Sequence, residues 1–438
     1  MTNLQKEIFT ISEYDGFSLE KPVDQLQVLD SKRFSSLEDF VLSAEDDLSE
    51  DVSVSSLMRL RSRKGVKTIT AQNYVGVISL PCGLTVEILP KIYSQEGVSE
   101  ESARSTLIMM LQKIKHPSFD SKQFKSAGLD LKKMNLLEIF IKMLLVEIRT
   151  ITMQGLRSGY KSVKSNENFY RGRLLVPQDI RTNVANKAKF FIQYDEFSVD
   201  RPENRILKLA LKHVRSLSTC PSNSRLATQL LHHFYEVGDT SNYTIEFDKC
   251  VSNRNMQSYK WALEISRVFL DGSSYTPTRG RKRAMSLLFP MEKIFENYIA
   301  ELVARNSSSA QVTTQGKGHS RHLFDRFNDN EEPTYKLQPD ILIGQQTGET
   351  ILLDTKWKVL YSDHKQEPYK PSQADMYQMY TYLKRYEAKK AVLVYPLPHD
   401  SLRERRFSYT SSQDDCVVEV AFVDLTQGPQ ESIMHLID

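Results

Sequence analysis

The pattern of hydrophobic and polar positions divides the chain into three regions. VGVISL and LTVEILPKIY alternate on either side of Pro81-Cys82-Gly83, which predicts a β-hairpin over Val75 to Ile88. From about Ser102 to Asp271, apolar residues recur at spacings of three and four, which predicts helices. An insert in this region, with RGRLLV and KFFIQYDEF, has the character of strands or extended segments.

The last region alternates between helical and strand patterns. It is predicted to contain, in order, the helix MEKIFENYIAELVAR, a polar loop, the strands QPDILIG and GETILLDTKWKVL, the helix SQADMYQMYTYLKRYEA, and the strands KAVLVYP and CVVEVAFVDL. We therefore predict a multidomain α/β protein. Its parts are a β-rich N-terminal region (1–101), a mainly helical middle domain with a β insert (102–275) and a C-terminal α/β domain (276–438) with a small mixed sheet.

Composition and charge exclude several classes of protein. With 58 basic and 55 acidic residues the net charge is +3, so the chain as a whole is not a polycation. Its four cysteines form no CxxC pair, which disfavours structural zinc and a disulfide framework. The most apolar run, Leu136 to Met153, carries four charged residues, which would be costly in a bilayer. We expect a soluble, cytoplasmic protein without a signal peptide.

Charged residues interrupt two apolar strands in the C-terminal region. Asp354 and Lys356 are two positions apart and therefore face the same side of a strand. If Thr347-Gly348 forms a turn, the two strands pair antiparallel and Asp340 approaches Asp354. Two adjacent carboxylates repel each other, and Mg²⁺ relieves this repulsion while it polarises a phosphate oxygen. The alternative is a salt bridge at an exposed sheet edge.

This charged pair of strands resembles the PD-(D/E)xK nuclease superfamily, written here as Pro339-Asp340 and Asp354-Thr355-Lys356. The resemblance implies a restriction-endonuclease-like domain in which Asp340 and Asp354 bind Mg²⁺ and Lys356 is catalytic.

The two flanking helices add to this resemblance. Gln378 and Tyr382 match the Q-x-x-x-Y element of RecB-like members, and their spacing places them on one helix face. A capping or core role is the alternative for both. The preceding helix offers Glu292 and Glu296 as the further acidic residue, and IFENY favours Glu296.

Longer blocks are similar to the McrC family, the nuclease subunits of McrBC-type modification-dependent restriction systems. These blocks, between about Gly76 and Pro396, are GVISLPCGLTVEILPKIY, NFYRGRLLVPQDIR, YDEFSVDRPENRILKLAL and FPMEKIFENYIAEL. The resemblance implies an antiviral DNA endonuclease that acts on double-stranded DNA. It also implies a partner, a McrB-like AAA+ hexamer that hydrolyses GTP and selects methylated DNA. This chain has no GxxxxGK[ST] loop, so GTP enters only through the partner.

By the same resemblance, the N-terminal region is the motor-docking element. Arg59, Arg61, Arg63 and Lys64 are its candidate partner-binding residues. The candidate DNA-binding residues are Tyr382 and a basic cluster in the preceding linker, Arg279, Arg281, Lys282 and Arg283. Two other functions stay open. One alternative is a non-catalytic adaptor that activates an AAA+ motor, and the other is a RecB-like repair nuclease that acts alone.

Overall fold

A computed structural model describes most of the chain. The described residues are 7–46, 57–92, 99–113, 134–250, 257–271, 285–307, 311–314, 321–325, 333–344, 349–360, 369–398, 402 and 405–425. The chain forms two compact units: Met1–Met134 with Ser274–Asp438, and Asn135–Ser273. The first unit therefore combines both ends of the chain, and the second is an insertion between them. The three-segment division at 101 and 275 stays a prediction.

The N-terminal part of the first unit is rich in strands. Its elements are β1 (Glu7–Ser12), β2 (Gly16–Leu19), β3 (Gln27–Leu29), α1 (Ser31–Asp46), β4 (Met58–Arg63), β5 (Val66–Ala71), β6 (Tyr74–Ser79), β7 (Leu84–Leu89) and α2 (Glu100–Lys113). Strands β6 and β7 pair antiparallel, which confirms the predicted hairpin. One four-stranded sheet has the order β3-β2-β5-β4. Phe17, Ile69 and Phe34 lie in a core shared by this sheet, α1 and the β6–β7 hairpin.

A second sheet joins the N-terminal and C-terminal parts of the first unit. Its order is β1-β7-β6-β11, where β11 (Met285–Pro290) follows the middle unit in sequence. Strand β11 runs antiparallel to β6, with Gly76 opposite Leu288. Gly76 has φ +137°, and a Cβ there would lie 1.9 Å from the backbone oxygen of Leu287. Only glycine allows the two backbones to approach this closely.

The second unit is mainly helical, as predicted. Its elements are α3 (Leu136–Gln154), β8 (Gly159–Glu167), β9 (Arg173–Leu174), α4 (Val176–Thr182), β10 (Phe190–Ser198), α5 (Pro202–Leu217), α6 (Pro221–His232), α7 (Tyr243–Lys249) and α8 (Gln257–Asp271). Strands β8, β10 and β9 form a small antiparallel sheet. The apolar helix α3 is a buried core helix. Across the described ranges, no helix combines the length and apolar character needed to cross a membrane.

The C-terminal part of the first unit contains a mixed sheet. Its elements are α9 (Met291–Asn306), β12 (Gln311–Thr314), β13 (Arg321–Phe324), β14 (Thr334–Leu337), β15 (Ile341–Gly344), β16 (Thr350–Thr355), α10 (Gln373–Tyr386), β17 (Lys390–Pro396), β18 (Phe407–Ser411) and β19 (Cys416–Val423). The sheet order is β12-β15-β16-β17-β19-β18, with β16, β17 and β19 parallel. The mixed α/β character is confirmed, but the region predicted as one polar loop (306–333) contains β12 and β13, and the short strand β14 that follows it was not predicted.

Helix α10 covers one face of the mixed sheet. Leu352 of β16 and Leu393 of β17 pack there with Met379 and Leu383 of the helix. Ser372 begins the helix with a capping box, in which Asp375 is the reciprocal partner. Because side chains alternate along a strand, Asp354 lies on the same face as Leu352, toward α10.

Candidate active site

Two strands bring the predicted carboxylates together. Strands β15 and β16 are antiparallel, with Ile341 opposite Leu353. Asp340 comes immediately before β15 and therefore lies beside Asp354, near the end of β16. The side chain of Asp354 is only 2% exposed, which excludes an open sheet edge for this residue. The predicted approach of the two carboxylates is confirmed.

Asp340 is held by the strand that it faces. Its Oδ2 atom accepts hydrogen bonds from both the backbone N–H and the hydroxyl of Thr355, each at 2.7 Å. Burial raises the pKa of Asp340 to about 7, and the charges of Asp354 and Glu296 add to this rise. The two bonds from Thr355 lower the pKa but do not offset the burial. The site therefore resists holding all its carboxylates ionised at once.

Lys356 compensates part of this negative charge. Its Nζ atom lies 2.7 Å from Oδ2 of Asp354. Apart from this ion pair, that oxygen has no hydrogen-bond partner among the described residues. The pKa of Asp354 is raised by burial, although Lys356 opposes the rise. Burial alone would lower the pKa of Lys356, but the charge of Asp354 raises it above the ordinary value, so the lysine stays an ammonium.

Helix α10 fixes the position of the ammonium group. Lys356 Nζ donates a hydrogen bond to Oε1 of Gln378 at 3.0 Å. The amide of Gln378 in turn donates to the hydroxyl of Tyr382 at 2.8 Å, and that hydroxyl donates to the backbone oxygen of Gln338. This chain of bonds fixes the orientation of the Gln378 amide. Tyr382 is buried behind Gln378, and its contact with DNA stays a prediction.

Of the two candidate glutamates on α9, Glu296 lies at the carboxylate pair. It is 5% exposed, and its charge raises the pKa of both Asp340 and Asp354. Lys293 Nζ lies 2.6 Å from its Oε2 atom. Glu292, one turn earlier, accepts a hydrogen bond from Asn73 of the N-terminal part instead. The structure therefore brings Glu296, and not Glu292, to the site.

The site also contains an acid that the sequence analysis did not single out. Asp375 of α10 forms an ion pair with Lys358, and its charge acts on both Asp354 and Lys356. The SQAD capping box marks Asp375 in the sequence only as a helix start. Nothing in that signal places Asp375 beside Asp354 and Lys356.

The oxygen atoms at this site fit a hard divalent cation. Asp340 and Asp354 offer carboxylate oxygens, and the Oδ2 atom of Asp354 has no partner among the described residues besides the Lys356 ammonium. Burial raises the pKa of both carboxyl groups, and the charge of Glu296 adds to this rise, so a bound cation would stabilise their ionised forms. In the part of the chain that the structure describes, no group of three or more His, Cys, Asp or Glu side chains is arranged to hold a metal. Mg²⁺ needs only one or two carboxylates, because water and substrate phosphates complete its shell.

The predicted basic residues lie elsewhere or outside the described ranges. Arg59, Arg61 and Arg63 alternate along β4, where Arg59 and Arg61 are exposed. Lys64, in the turn after β4, forms an ion pair with Asp24 at 2.8 Å. The basic linker cluster Arg279, Arg281, Lys282 and Arg283 lies outside the described residues. A role of β4 in partner binding stays a prediction.

Comparison with known proteins identifies the family. The family model for the McrBC 5-methylcytosine restriction system component matches residues 69–396, which is well over half of the chain. The chain belongs to the McrBC family. The McrC resemblance in the sequence is thereby confirmed. No match to the chain is found among the curated proteins.

Two solved structures from Thermococcus gammatolerans share the fold. The first is a half-complex from a tetradecameric assembly of McrB AAA+ hexamers with bound McrC. It matches with a TM-score of 0.68 and 18% identity, over 98% of this chain and 99% of that chain. The second is the McrBC complex, with a TM-score of 0.51 and 20% identity, over 69% and 89% of the two chains. At these identities the matches show a common fold.

Proposed function

We propose that this McrBC-family chain is the Mg²⁺-dependent, PD-(D/E)xK-type DNA endonuclease subunit of its restriction system. In this proposal, a McrB-like AAA+ hexamer binds the chain, hydrolyses GTP, and selects and translocates methylated DNA. The observation that carries the proposal is the buried Asp340–Asp354 pair with Lys356 beside it. The hexameric McrB in the similar assembly from Thermococcus gammatolerans supports the partner.

The chain's own residues supply positioning and charge. Asp340 and Asp354 would hold Mg²⁺, which polarises a phosphate oxygen when it is bound. Lys356 presents an ammonium group on the same strand face, where it stabilises negative charge that develops on the scissile phosphate. Gln378 holds that ammonium through its Oε1 atom, so the charge is in place before the substrate arrives. Glu296 adds negative charge at the pair and so strengthens its affinity for a cation.

Cleavage of methylated plasmid DNA tests this function. Wild type, Asp354→Asn and Lys356→Ala are each incubated with Mg²⁺, the co-purified AAA+ partner and GTP, and cleavage and GTP hydrolysis are followed in the same tubes. We expect each variant to lose cleavage by about 100-fold or more. Stimulation of GTP hydrolysis should survive, because the altered residues lie in the nuclease site.

A matched control is Glu419→Gln. Glu419 lies on β19 of the same sheet and pairs with Arg406 at 3.2 Å, away from the two aspartates. This variant should cut like wild type. If wild type stimulates GTP hydrolysis but never cuts, the proposal fails and the chain is an adaptor. If wild type cuts without any partner or GTP, the chain is a nuclease that acts alone.

A further inference from the structure

A buried carboxylate at the end of β1 contacts the segment that follows β16. Glu13 follows β1, and its side chain is 0% exposed. Its backbone N–H donates to the carbonyl of Leu89 at the end of β7, and its Oε2 atom accepts the backbone N–H of Lys91 at 3.0 Å. Glu13 is thus fixed to the end of the β6–β7 hairpin at both its backbone and its side chain.

The carboxylate of Glu13 binds the residue next to Lys356. The indole Nε1–H of Trp357 donates to Oε1 at 3.2 Å and to Oε2 at 3.0 Å. The other surface of the indole packs on Phe295 of α9, with ring centroids 5.3 Å apart. Phe295 in turn precedes Glu296. Trp357 is therefore held between the N-terminal sheet and the helix that supplies the third carboxylate of the site.

The pairing of β16 shows why the contact between Glu13 and Trp357 matters for Lys356. The ladder between β16 and β17 ends at Thr355, opposite Val394, and Lys356 adds one further backbone bond to Val394 at 2.9 Å. Beyond that point the chain leaves the sheet. The next contact that holds this segment in place is the hydrogen bonding of the Trp357 side chain to Glu13.

We propose that Glu13 is a positioning residue for DNA cleavage, which holds Trp357 and through it the Lys356 ammonium at Asp354 and Gln378. This inference rests on the proposed nuclease function. A fully buried carboxylate is costly, since burial opposes its charge. Glu13 has two N–H donors, from Lys91 and Trp357, while the charge of Glu292 adds to the cost. A buried apolar residue could fill the same volume without this cost, but it could not accept the indole hydrogen bond.

Four variants separate positioning from packing. Glu13→Gln keeps an acceptor oxygen for the indole, whereas Glu13→Leu removes it. Trp357→Phe removes the donor and keeps an aromatic ring against Phe295, and the double variant Glu13→Leu/Trp357→Phe combines the two losses. The assay is cleavage of methylated plasmid with the partner, GTP and saturating Mg²⁺, analysed for kcat and for KM toward DNA.

We expect Glu13→Leu and Trp357→Phe each to lower kcat by about tenfold, because misplacement of a catalytic group by about 1 Å costs up to about 100-fold. KM toward DNA should stay unchanged. The double variant should be no slower than either single variant, because all three lack the same hydrogen bond. Glu13→Gln should stay within about threefold of wild type, since it restores the acceptor.

A measurement that does not depend on activity checks the contact itself. The chain has two tryptophans, Trp261 and Trp357, so ¹⁵N-labelled indole groups give two signals, which Trp261→Phe assigns. We expect Glu13→Leu to shift the Trp357 signal and to leave that of Trp261 in place. Glu419→Gln serves again as the control, because Glu419 is a carboxylate on β19 that pairs with Arg406, outside both the site and the Glu13–Trp357 contact. This control should leave the Trp357 signal and kcat unchanged.

The outcomes are distinguishable. If folded Glu13→Leu cuts with the wild-type kcat, while Lys356→Ala is inactive, the positioning role is wrong and the nuclease function stands. The role is also overturned if Glu13→Gln has a kcat as low as that of Glu13→Leu. It is overturned as well if the fold-loss in kcat of the double variant equals the product of the fold-losses of the two single variants. If wild-type protein never cuts, both the proposed function and this inference fail.

Discussion

Replacement of Asp340 by asparagine should stabilise the metal-free protein. The pKa of this buried carboxyl group is raised from 3.8 to about 7. Between these two values the folded protein keeps a proton that the unfolded chain has released, so the free energy of unfolding falls as the pH rises. One pKa unit corresponds to about 1.4 kcal/mol, so at pH 8 the ionised side chain lowers the free energy of unfolding by about 4 kcal/mol. Asparagine carries no such charge.

The assay is urea unfolding of wild type and Asp340→Asn in EDTA, followed by circular dichroism. At pH 5 the carboxyl group is mostly protonated in the folded state, so the advantage of the variant should be small. From pH 5 to pH 8 that advantage should grow by about 3 kcal/mol. Glu419→Gln, which removes a carboxylate from the same sheet outside the site, controls for net charge and should show no comparable gain.

Mg²⁺ should reverse this order of stability. A ligand that binds only the folded state stabilises it in proportion to the logarithm of its concentration over Kd. Added Mg²⁺ should therefore raise the free energy of unfolding of wild type and have little effect on Asp340→Asn. An advantage of the variant that does not change between pH 5 and pH 8 would refute the reasoning, because the carboxylates would then be neither crowded nor desolvated.

Three further substitutions test the fold and the site. Arg104→Met should lower the free energy of unfolding by about 3–5 kcal/mol in urea, because Glu87, 1% exposed, loses its bidentate partner; a loss below about 1 kcal/mol would contradict this. Gly76→Ala should lower the melting temperature sharply, because the new Cβ would meet the backbone of β11; a melting temperature equal to wild type would show that the strands separate easily. Gln378→Leu should slow single-turnover cleavage without weakening DNA binding, because Lys356 loses the oxygen that holds it; weaker DNA binding at an unchanged rate would instead indicate a contact with the substrate.

Local periodicity predicted the parts of the site that lie close together in sequence. The two-residue spacing places Asp354 and Lys356 on one face of β16, and the four-residue spacing places Gln378 and Tyr382 on one face of α10. In both cases the backbone geometry of one element decides the direction of the side chains. The β6–β7 hairpin was predictable for the same reason, since a short turn joins its strands.

Contacts between distant segments were not predictable from such patterns. Glu13 and Trp357 are 344 residues apart, and neither lies in a motif that names the other. Strands β12, β13 and β14 are four residues each and largely polar, so they show no alternation that distinguishes them from a loop. Their strand character comes from tertiary pairing, as for β12 beside β15.

The pairing of β6 with β11 has a consequence for synthesis of the chain. Gly76 and Leu288 face each other, but the ribosome adds about 210 residues between them. At about 5–20 residues per second, roughly 10–40 seconds pass before β11 exists. Throughout that interval β6 presents an open edge that can pair with another nascent chain. Overproduction of the protein should therefore depend on how quickly the middle unit is translated, and slow codons there should increase aggregation.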